Sequence, residues 1–218
     1  MFVFFKHKNY ATLFFAKSKY KTSRRNMKLI CIIPFITSAL AIGDDCEWFE
    51  AKEGQTVTCL PGWVATGACG SGRRPDCSNG RLSTKHHTMI KCCPHKYQND
   101  PEHDCSTTGY KYGIDAECPK LEPELGESSS ILSIHALCTS GRTAACNKDY
   151  TQLTCCKTDD ITVGPRNQCG WFNGNYGELL ECPSGYAIAG YCGSGGNADC
   201  DGQKAFAGIM CCPMTDNR

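Results

Sequence analysis

The sequence predicts an all-β fold built from three tandem units, each stapled by disulfide bonds. First, one pattern of six cysteines occurs three times, and each copy ends in an adjacent Cys-Cys pair. Second, short runs rich in β-branched and aromatic residues are bounded by turn-forming residues, which is typical of strands. Third, glycine and proline punctuate every unit, and few segments have the 3.6-residue apolar period of a helix.

The cysteine spacing defines the repeat. In every unit the first and second cysteines are 13 positions apart, and the third and fourth are 8 apart. Because self-similarity at a fixed period dictates the architecture, we weigh it above any local pattern. In order, the cysteines are Cys46, Cys59, Cys69, Cys77, Cys92 and Cys93; Cys105, Cys118, Cys138, Cys146, Cys155 and Cys156; and Cys169, Cys182, Cys192, Cys200, Cys211 and Cys212.

These positions set the expected domain boundaries. We assign the first unit to residues 42–94, a linker to 95–104, the second unit to 105–157, a linker to 158–168 and the third unit to 169–218. The second unit is the divergent one, since it carries a longer insert over residues 119–130. A unit this small buries little apolar surface, so its three disulfides are expected to supply the missing stability.

The N-terminal region predicts secretion. An apolar stretch over residues 29–41 follows several basic residues and ends in Ala39-Leu40-Ala41, the small-residue pattern that signal peptidase recognises. We therefore expect a signal peptide over residues 1–41, in which residues 1–26 are an over-extended start if Met27 is the initiator. A membrane anchor is one alternative, but about 13 apolar residues are too few to span a bilayer comfortably. A mitochondrial presequence is another, and nineteen cysteines disfavour it because they need an oxidising compartment.

Composition and charge narrow the function classes. Nineteen cysteines in 218 residues approach the density of disulfide scaffolds, which need an oxidising, extracellular compartment. Residues 1–41 hold eight basic residues and no acidic one, so the remaining chain has 15 basic and 22 acidic residues and a formal charge of −7. We expect no nucleic-acid partner and no membrane insertion after signal cleavage, since anionic partners need a basic face.

The adjacent cysteines favour a nested set of bonds. Neighbouring side chains on a strand point to opposite faces, so the two members of a pair must bond to different partners. The constant spacing of 8 residues favours a local bond between the third and fourth cysteines. Six cysteines allow 15 pairings, and the spacing alone leaves the others open.

Two motifs carry a family resemblance. Cys59-Leu60-Pro61-Gly62-Trp63 matches Cys182-Pro183-Ser184-Gly185-Tyr186, and each is followed by Cys-Gly-Ser and later by the closing Cys-Cys pair. This pattern resembles the C-terminal domain of the resistin family, and its threefold repeat resembles the Cys/His-rich C-terminal domain of proprotein convertase subtilisin/kexin type 9. The extra cysteines of resistin are missing, and a role that depends on a convertase domain is not transferred.

The resemblance implies three resistin-like β-sandwich (jelly-roll) units with a pseudo-threefold arrangement. It also implies that each unit bonds its first cysteine to its sixth, its second to its fifth and its third to its fourth. The implied bonds are Cys46–Cys93, Cys59–Cys92, Cys69–Cys77, Cys105–Cys156, Cys118–Cys155, Cys138–Cys146, Cys169–Cys212, Cys182–Cys211 and Cys192–Cys200. We expect each unit to be a self-contained sandwich.

Histidines offer a candidate binding or pH-sensing patch. Four of them, His86, His87, His95 and His103, fall across the end of the first unit and the following linker, and histidine titrates near neutral pH. The alternative is a solvated loop, since the units do not repeat these residues. We expect no metal and no cofactor, because the cysteine gaps lack the close pairs of zinc sites.

No catalytic residue is predicted. Ser71 and Ser194 lie in Gly-Ser-Gly beside a cysteine, which differs from the Gly-x-Ser-x-Gly nucleophile elbow. Trp48 and Trp171 each lie two residues after the first cysteine of their units. Tryptophans are common at binding hot spots, but residues that recur at equivalent positions favour a role in the core.

The sequence therefore predicts a secreted, non-enzymatic, cysteine-rich protein. The leading hypothesis is an extracellular binding or signalling module for a protein partner, whose identity the sequence does not contain. The alternatives are a structural matrix or coat component and a secreted defence protein that binds glycans. Because the cysteine scaffold is shared, we look for binding where the units differ, in residues 86–103 and in the 119–130 insert.

Overall fold

Antiparallel strands make up most of the chain that the computed structural model describes, which confirms the all-β prediction. The described residues are 45–70, 76–78, 86–94, 103–121, 130–140, 143–157, 161–193, 199–200 and 205–216. The predicted signal peptide, which contains the one cysteine outside the repeats (Cys31), and the interior of the 119–130 insert lie outside these ranges. Within them, no helix is long and apolar enough to cross a membrane.

Each unit contributes four main strands. The first unit has β1 (Glu47–Ala51), β2 (Val57–Thr58), β3 (Trp63–Gly70) and β4 (Thr88–Pro94). The second has β5 (His103–Tyr110), β6 (Ala116–Glu117), β7 (Ser133–Thr139) and β8 (Thr151–Lys157). After β9 (Ile161–Val163) and a 3-10 turn (Arg166–Gln168), the third has β10 (Gly170–Gly174), β11 (Leu180–Glu181), β12 (Tyr186–Gly193) and β13 (Ala207–Asp216).

The strands form three sheets of the same design. Their orders are β1-β4-β3-β11, β2-β7-β8-β5 and β10-β13-β12-β6, and β9 adds to the far end of β13. The central strand β4 is buried on both faces except at Lys91, and β13 is buried from Ala207 to Cys212. Burial on both faces means that further layers cover these two sheets, as in a β-sandwich.

Nine disulfides lie within the units, which confirms the predicted disulfide-rich scaffold. Each unit bonds its first cysteine to its sixth, its second to its fifth and its third to its fourth. In β4, Cys92 bonds Cys59 on one side and Cys93 bonds Cys46 on the other. Alternation along the strand sends the two adjacent sulfurs to opposite faces.

The units exchange strands, so the expectation of self-contained sandwiches is wrong. The first unit gives β2 to the sheet of the second, the second gives β6 to the sheet of the third, and the third gives β11 to the sheet of the first. The exchange runs in one direction and closes on itself. The described residues between 45 and 216 accordingly form one compact unit.

A β-bulge receives each exchanged strand. The register shifts at Thr66 in β3, at His135 in β7 and at Ala189 in β12. The carbonyl of each bulged residue then accepts a hydrogen bond from the second cysteine of the donor unit, at 2.7 to 2.9 Å. A bulge interrupts the regular ladder and frees this carbonyl for the incoming strand.

A glycine turn precedes each exchanged strand and lies against the next unit. Gly177 (φ 72°) faces Asp76, and an added Cβ would lie 3.0 Å from the Cβ of that residue. Because the backbone is both left-handed and crowded there, glycine is required. Gly54 and Gly113 occupy the equivalent turns against Ala145 and Asp199.

Polar contacts secure two of the exchanged strands. Lys91 Nζ lies 2.6 Å from Glu181 Oε2, across β3. Glu117 accepts hydrogen bonds from Arg166 Nε at 3.0 Å and from its Nη2, and this bonding raises the pKa of Arg166. Tyr110 donates to the carbonyl of Glu117 at 2.8 Å; burial and the Glu117 charge both raise the pKa of this tyrosine.

Candidate functional site

Each sheet has an inner face, which packs in the common core, and an outer face, which carries the bond between the third and fourth cysteines. Residues opposite each other on paired strands share a face. The outer rows are Glu181-Gly67-Lys91-Trp48, Thr58-Ala136-Thr154-Thr107 and Glu117-Gly190-Met210-Trp171. The strand register therefore aligns three outer faces residue by residue, although their side chains differ.

In the first and third units a tryptophan covers the outer face. The indole of Trp48 reaches across β4, so its Cη2 would lie 3.1 Å from a Cβ at Gly67. Trp48 also packs against the buried cluster of Cys69, Cys77 and Met89. Trp171 makes the corresponding contact with Cys192, Cys200 and Ala205. The indoles thus shield the outer disulfide, which accounts for their recurrence.

The second unit has threonine in place of this tryptophan. Thr107 is exposed, and its hydroxyl lies 2.9 Å from that of Thr154 on the neighbouring strand. Thr58, on the exchanged strand, is also exposed at the end of the same row. We call the row Thr58-Ala136-Thr154-Thr107 the hydroxyl face. It presents hydroxyl groups where the other two units present an indole.

The residues beside the outer disulfide also differ between the units. In the first unit His86 Nε2 lies 2.9 Å from Glu50 Oε2. The backbone of His86 pairs with that of Cys77 in an isolated β-bridge. In the second unit the equivalent residues are Asp149 and Gly109, and the Asp149 carboxylate fills the space that a Gly109 side chain would need. One scaffold therefore carries a histidine beside a carboxylate at one site and a single carboxylate at another.

The structure does not bring the four predicted histidines into one described cluster. His86 lies beside Glu50. The main-chain N–H of His87 donates to the carbonyl of Ala51, and the carbonyl of His87 accepts a hydrogen bond from the hydroxyl of Thr139 in the second unit. His95 lies outside the described residues. His103 begins β5 opposite Lys157. Within the described part of the chain, His86 therefore belongs to an outer face and His87 to a boundary between units.

The 119–130 insert is closed at its base. Leu121 N–H donates to the carbonyl of Ser130 at 2.9 Å, and Lys120 pairs with Ile131. Ile131 in turn pairs with Val163 of β9, in the segment predicted to be a linker. Residues 122–129 lie outside the described ranges, so the structure places only the two ends of the insert.

One group of candidate metal ligands occurs among the described residues. The carboxylate of Asp115 and the sulfurs of Cys192 and Cys200 lie within 4.8 Å of one another. Those two sulfurs are bonded to each other, so neither is the thiolate that a zinc site requires. The group is a carboxylate beside a disulfide, at the boundary between the second and third units.

The hydroxyl face was not predicted from the sequence. Its signal was the alignment itself, since Thr107 stands two residues after Cys105, where the other units have Trp48 and Trp171. No protein-family model, curated protein or solved structure matches the chain.

Proposed function

We propose that the protein is a secreted, non-enzymatic binding module made of three resistin-like β-sandwich units. Nine disulfides support an oxidising, extracellular setting. All eighteen cysteines that the structure describes are bonded, so this part of the chain offers no thiol nucleophile. The proposed chemistry is recognition by surface side chains.

The hydroxyl face carries the proposal. The first and third units show that the scaffold uses its own tryptophan to cover this position, with Trp48 against the Cys69–Cys77 bond. The second unit keeps the equivalent bond, Cys138–Cys146, but replaces the indole with Thr107. Since the sheet forms without the indole, its absence is best explained by a partner that binds there.

A protein partner suits the geometry. Exposed threonine hydroxyls both donate and accept hydrogen bonds. They lie on a sheet, whose regular surface matches the extended, largely flat contact of a typical protein interface of about 800 Å² per partner. The predicted charge of −7 after signal cleavage favours a basic or neutral partner.

A glycan is the second candidate, and Asp149 favours it. Its carboxylate lies over Gly109, beside Gln152, which pairs with that glycine on the outer face. A carboxylate, an amide and neighbouring hydroxyls supply the acceptors and donors that sugar hydroxyls need. Replacing Asp149 with asparagine separates the candidates, because glycan binding should weaken far more than protein binding.

The test rebuilds the face of the first unit on the second. Thr58→Glu with Thr154→Lys places the equivalents of Glu181 and Lys91 at aligned positions, where they can form the same ion pair. The secreted chain is used for affinity capture and proximity labelling on cell surfaces, followed by a saturation curve with the captured protein. The matched control is Thr215→Lys, at an exposed position of the third unit.

We expect the double variant to lose saturable binding at least tenfold and the control to keep it. Equal binding by all three proteins would refute the hydroxyl face as the site. Competition by free sugar, with loss in Asp149→Asn, would assign the face to a glycan. Assembly of the pure chain into insoluble material, with no saturable partner, would favour the structural alternative.

A further inference from the structure

The outer strand β5 is the least anchored of the three equivalent outer strands. Every residue that the structure describes on β5 is at least partly exposed, only the hydroxyl of Ser106 is recorded as buried, and Tyr110 is the one that packs against the core. Apart from the packing of Tyr110, β5 is held non-covalently by its backbone hydrogen bonds with β8 and by the hydrogen bond between the hydroxyls of Thr107 and Thr154. A segment with few apolar contacts opens at a low free energy.

The equivalent strands are anchored by aromatic side chains. On β1, Phe49 packs against the core, Trp48 packs against the outer disulfide, and Ala51 is buried. On β10, Trp171 packs against both the core and the outer disulfide. Replacement of the tryptophan by Thr107 removes this anchor from β5.

The bond that ties β5 to β8 is also the most accessible. Cys105 is the one exposed residue among the eighteen disulfide cysteines that the structure describes. Its counterparts Cys46 and Cys169 are partly buried. Its partner Cys156 is buried. Attack by an external thiolate needs access to one sulfur, and the exposure of Cys105 as a residue makes this bond the first candidate for such attack.

We propose that Cys105–Cys156 is a redox-labile bond whose reduction by an extracellular dithiol releases β5 and opens the edge of β8. This inference does not rest on the proposed function. A thiolate of the dithiol attacks Cys105 Sγ, the S–S bond breaks, and Cys156 leaves with the electron pair and takes up a proton. The second thiol of the reductant displaces Cys105 and closes the reductant's own disulfide. Two electrons and two protons pass to the protein.

Release of β5 changes what the second unit displays. The β8 backbone from Thr151 to Cys155 pairs with Tyr110 to Ser106. Without β5, the N–H and C=O groups on that side lose their partners. An open strand edge of this kind accepts an extended peptide as an added strand. The other eight bonds keep the remaining strands in place, so the change stays within one sheet.

Partial reduction of the full secreted chain tests the proposal. The chain is treated with increasing dithiothreitol, free thiols are trapped with one alkylating reagent, and the remaining cysteines are reduced and trapped with a second before peptide mass spectrometry. We expect Cys105 and Cys156 to be trapped at least tenfold faster than Cys46 and Cys93. Hydrogen exchange should then show loss of protection in β5 and retention in β1.

A reciprocal pair of variants tests the cause. Thr107→Trp restores the indole and should slow reduction of Cys105–Cys156 several-fold, whereas Trp48→Thr should accelerate that of Cys46–Cys93. Earlier opening of a different bond, simultaneous opening of all nine, or reduction without loss of β5 protection would each overturn the proposal. If Trp48→Thr fails to fold, Thr107→Trp alone decides, and an unchanged rate there counts against the mechanism.

Discussion

The main-chain N–H of Cys118 donates to the carbonyl of Ala189 at 2.8 Å, across the boundary between the second and third units. Cys118 directly follows the exchanged strand β6, and Ala189 is the bulged residue of the receiving strand β12. Cys118 is also bonded to Cys155 in its own unit. One residue therefore joins two sheets, by a covalent bond to one and a hydrogen bond to the other.

Leu180 should hold the third unit to the first. It is buried on the exchanged strand β11, opposite Ala68 of β3. We expect Leu180→Ala to lower the free energy of unfolding by about 2–4 kcal/mol, because it leaves a cavity at the boundary. Denaturant unfolding with the disulfides intact measures the change. Leu60→Ala, at a residue 45% exposed, is the control, and an equal loss there would contradict a special role for Leu180.

Gly70 should tolerate no side chain. An added Cβ would overlap the hydroxyl of Tyr191 from the third unit and would lie 2.8 Å from Thr139 Oγ1 of the second. We expect Gly70→Ala to cost about 1–3 kcal/mol of stability, since overpacking forces the core apart. In Gly170→Ala the nearest atom would be 3.9 Å away, so this control should stay close to the parent. An equal loss of stability in both variants would mean that crowding at Gly70 is not the cause.

Tyr191→Phe should stabilise the protein. Tyr191 is fully buried, and its hydroxyl has no hydrogen-bond partner among the described residues. Removing an unpaired buried hydroxyl should gain about 1 kcal/mol, by thermal or denaturant unfolding. The same substitution should relieve part of the cost of Gly70→Ala, and additive effects of the two changes would argue against their contact.

Tyr191 should also weaken the fold at alkaline pH. Burial raises the pKa of Tyr191 above the usual 10.0, so the unfolded chain ionises first as pH rises. The contribution of Tyr191 to the free energy of unfolding is fully present below about pH 10 and falls above it, because the unfolded state then binds fewer protons than the folded state. Denaturant unfolding between pH 8 and roughly pH 11 should show a shallower decline for Tyr191→Phe than for the parent. Parallel profiles would contradict this origin.

The pair of Arg166 and Glu117 should contribute little to the free energy of unfolding, although two hydrogen bonds join the side chains. Their side chains are 30% and 32% exposed, so solvent screens the pair. We expect a coupling energy of about 0.5–1 kcal/mol in a double-mutant cycle with Arg166→Met and Glu117→Gln. The coupling should shrink in high salt, and a salt-independent value would indicate a packing effect instead.

Secretion should remove the basic N-terminal region. The Ala39-Leu40-Ala41 pattern predicts that the mature chain starts at Ile42 or within a few residues of it. N-terminal sequencing of material secreted from transfected cells measures the start. Ala41→Arg serves as the matched variant, because it should impair cleavage. Recovery of an intact basic N-terminus on secreted protein would refute the assignment.

The sequence predicted the fold class but not how the units join. Cysteine spacing and strand-forming runs identified an all-β, disulfide-rich protein because both signals lie within one unit. The exchanged strand Val57–Thr58 is two residues long, which is too short to show an alternating pattern, and no local pattern states which sheet a strand will enter. The glycines that turn the chain toward the neighbouring unit, such as Gly177, were the available sign of a crowded boundary.

The candidate site was harder to predict for a different reason. Recurrence of Trp48 and Trp171 correctly pointed to packing, and the same comparison would have marked Thr107 as the exception. The outer row also depends on register, which sets Thr154 beside Thr107 and Thr58 at the far end. Because Thr58 comes from the first unit, a face that belongs to the second unit cannot be assembled from that unit's sequence alone.

The closed strand exchange fixes the copy number of the repeat. In an open array a unit can be gained or lost at either end, since each depends only on its neighbours. Here β11 of the last unit completes the sheet of the first, so deletion of any unit would leave one exchanged strand without a sheet and one sheet without its edge. We therefore expect loss or gain of a single unit to disrupt two sheets at once, so that a chain of this design keeps three units.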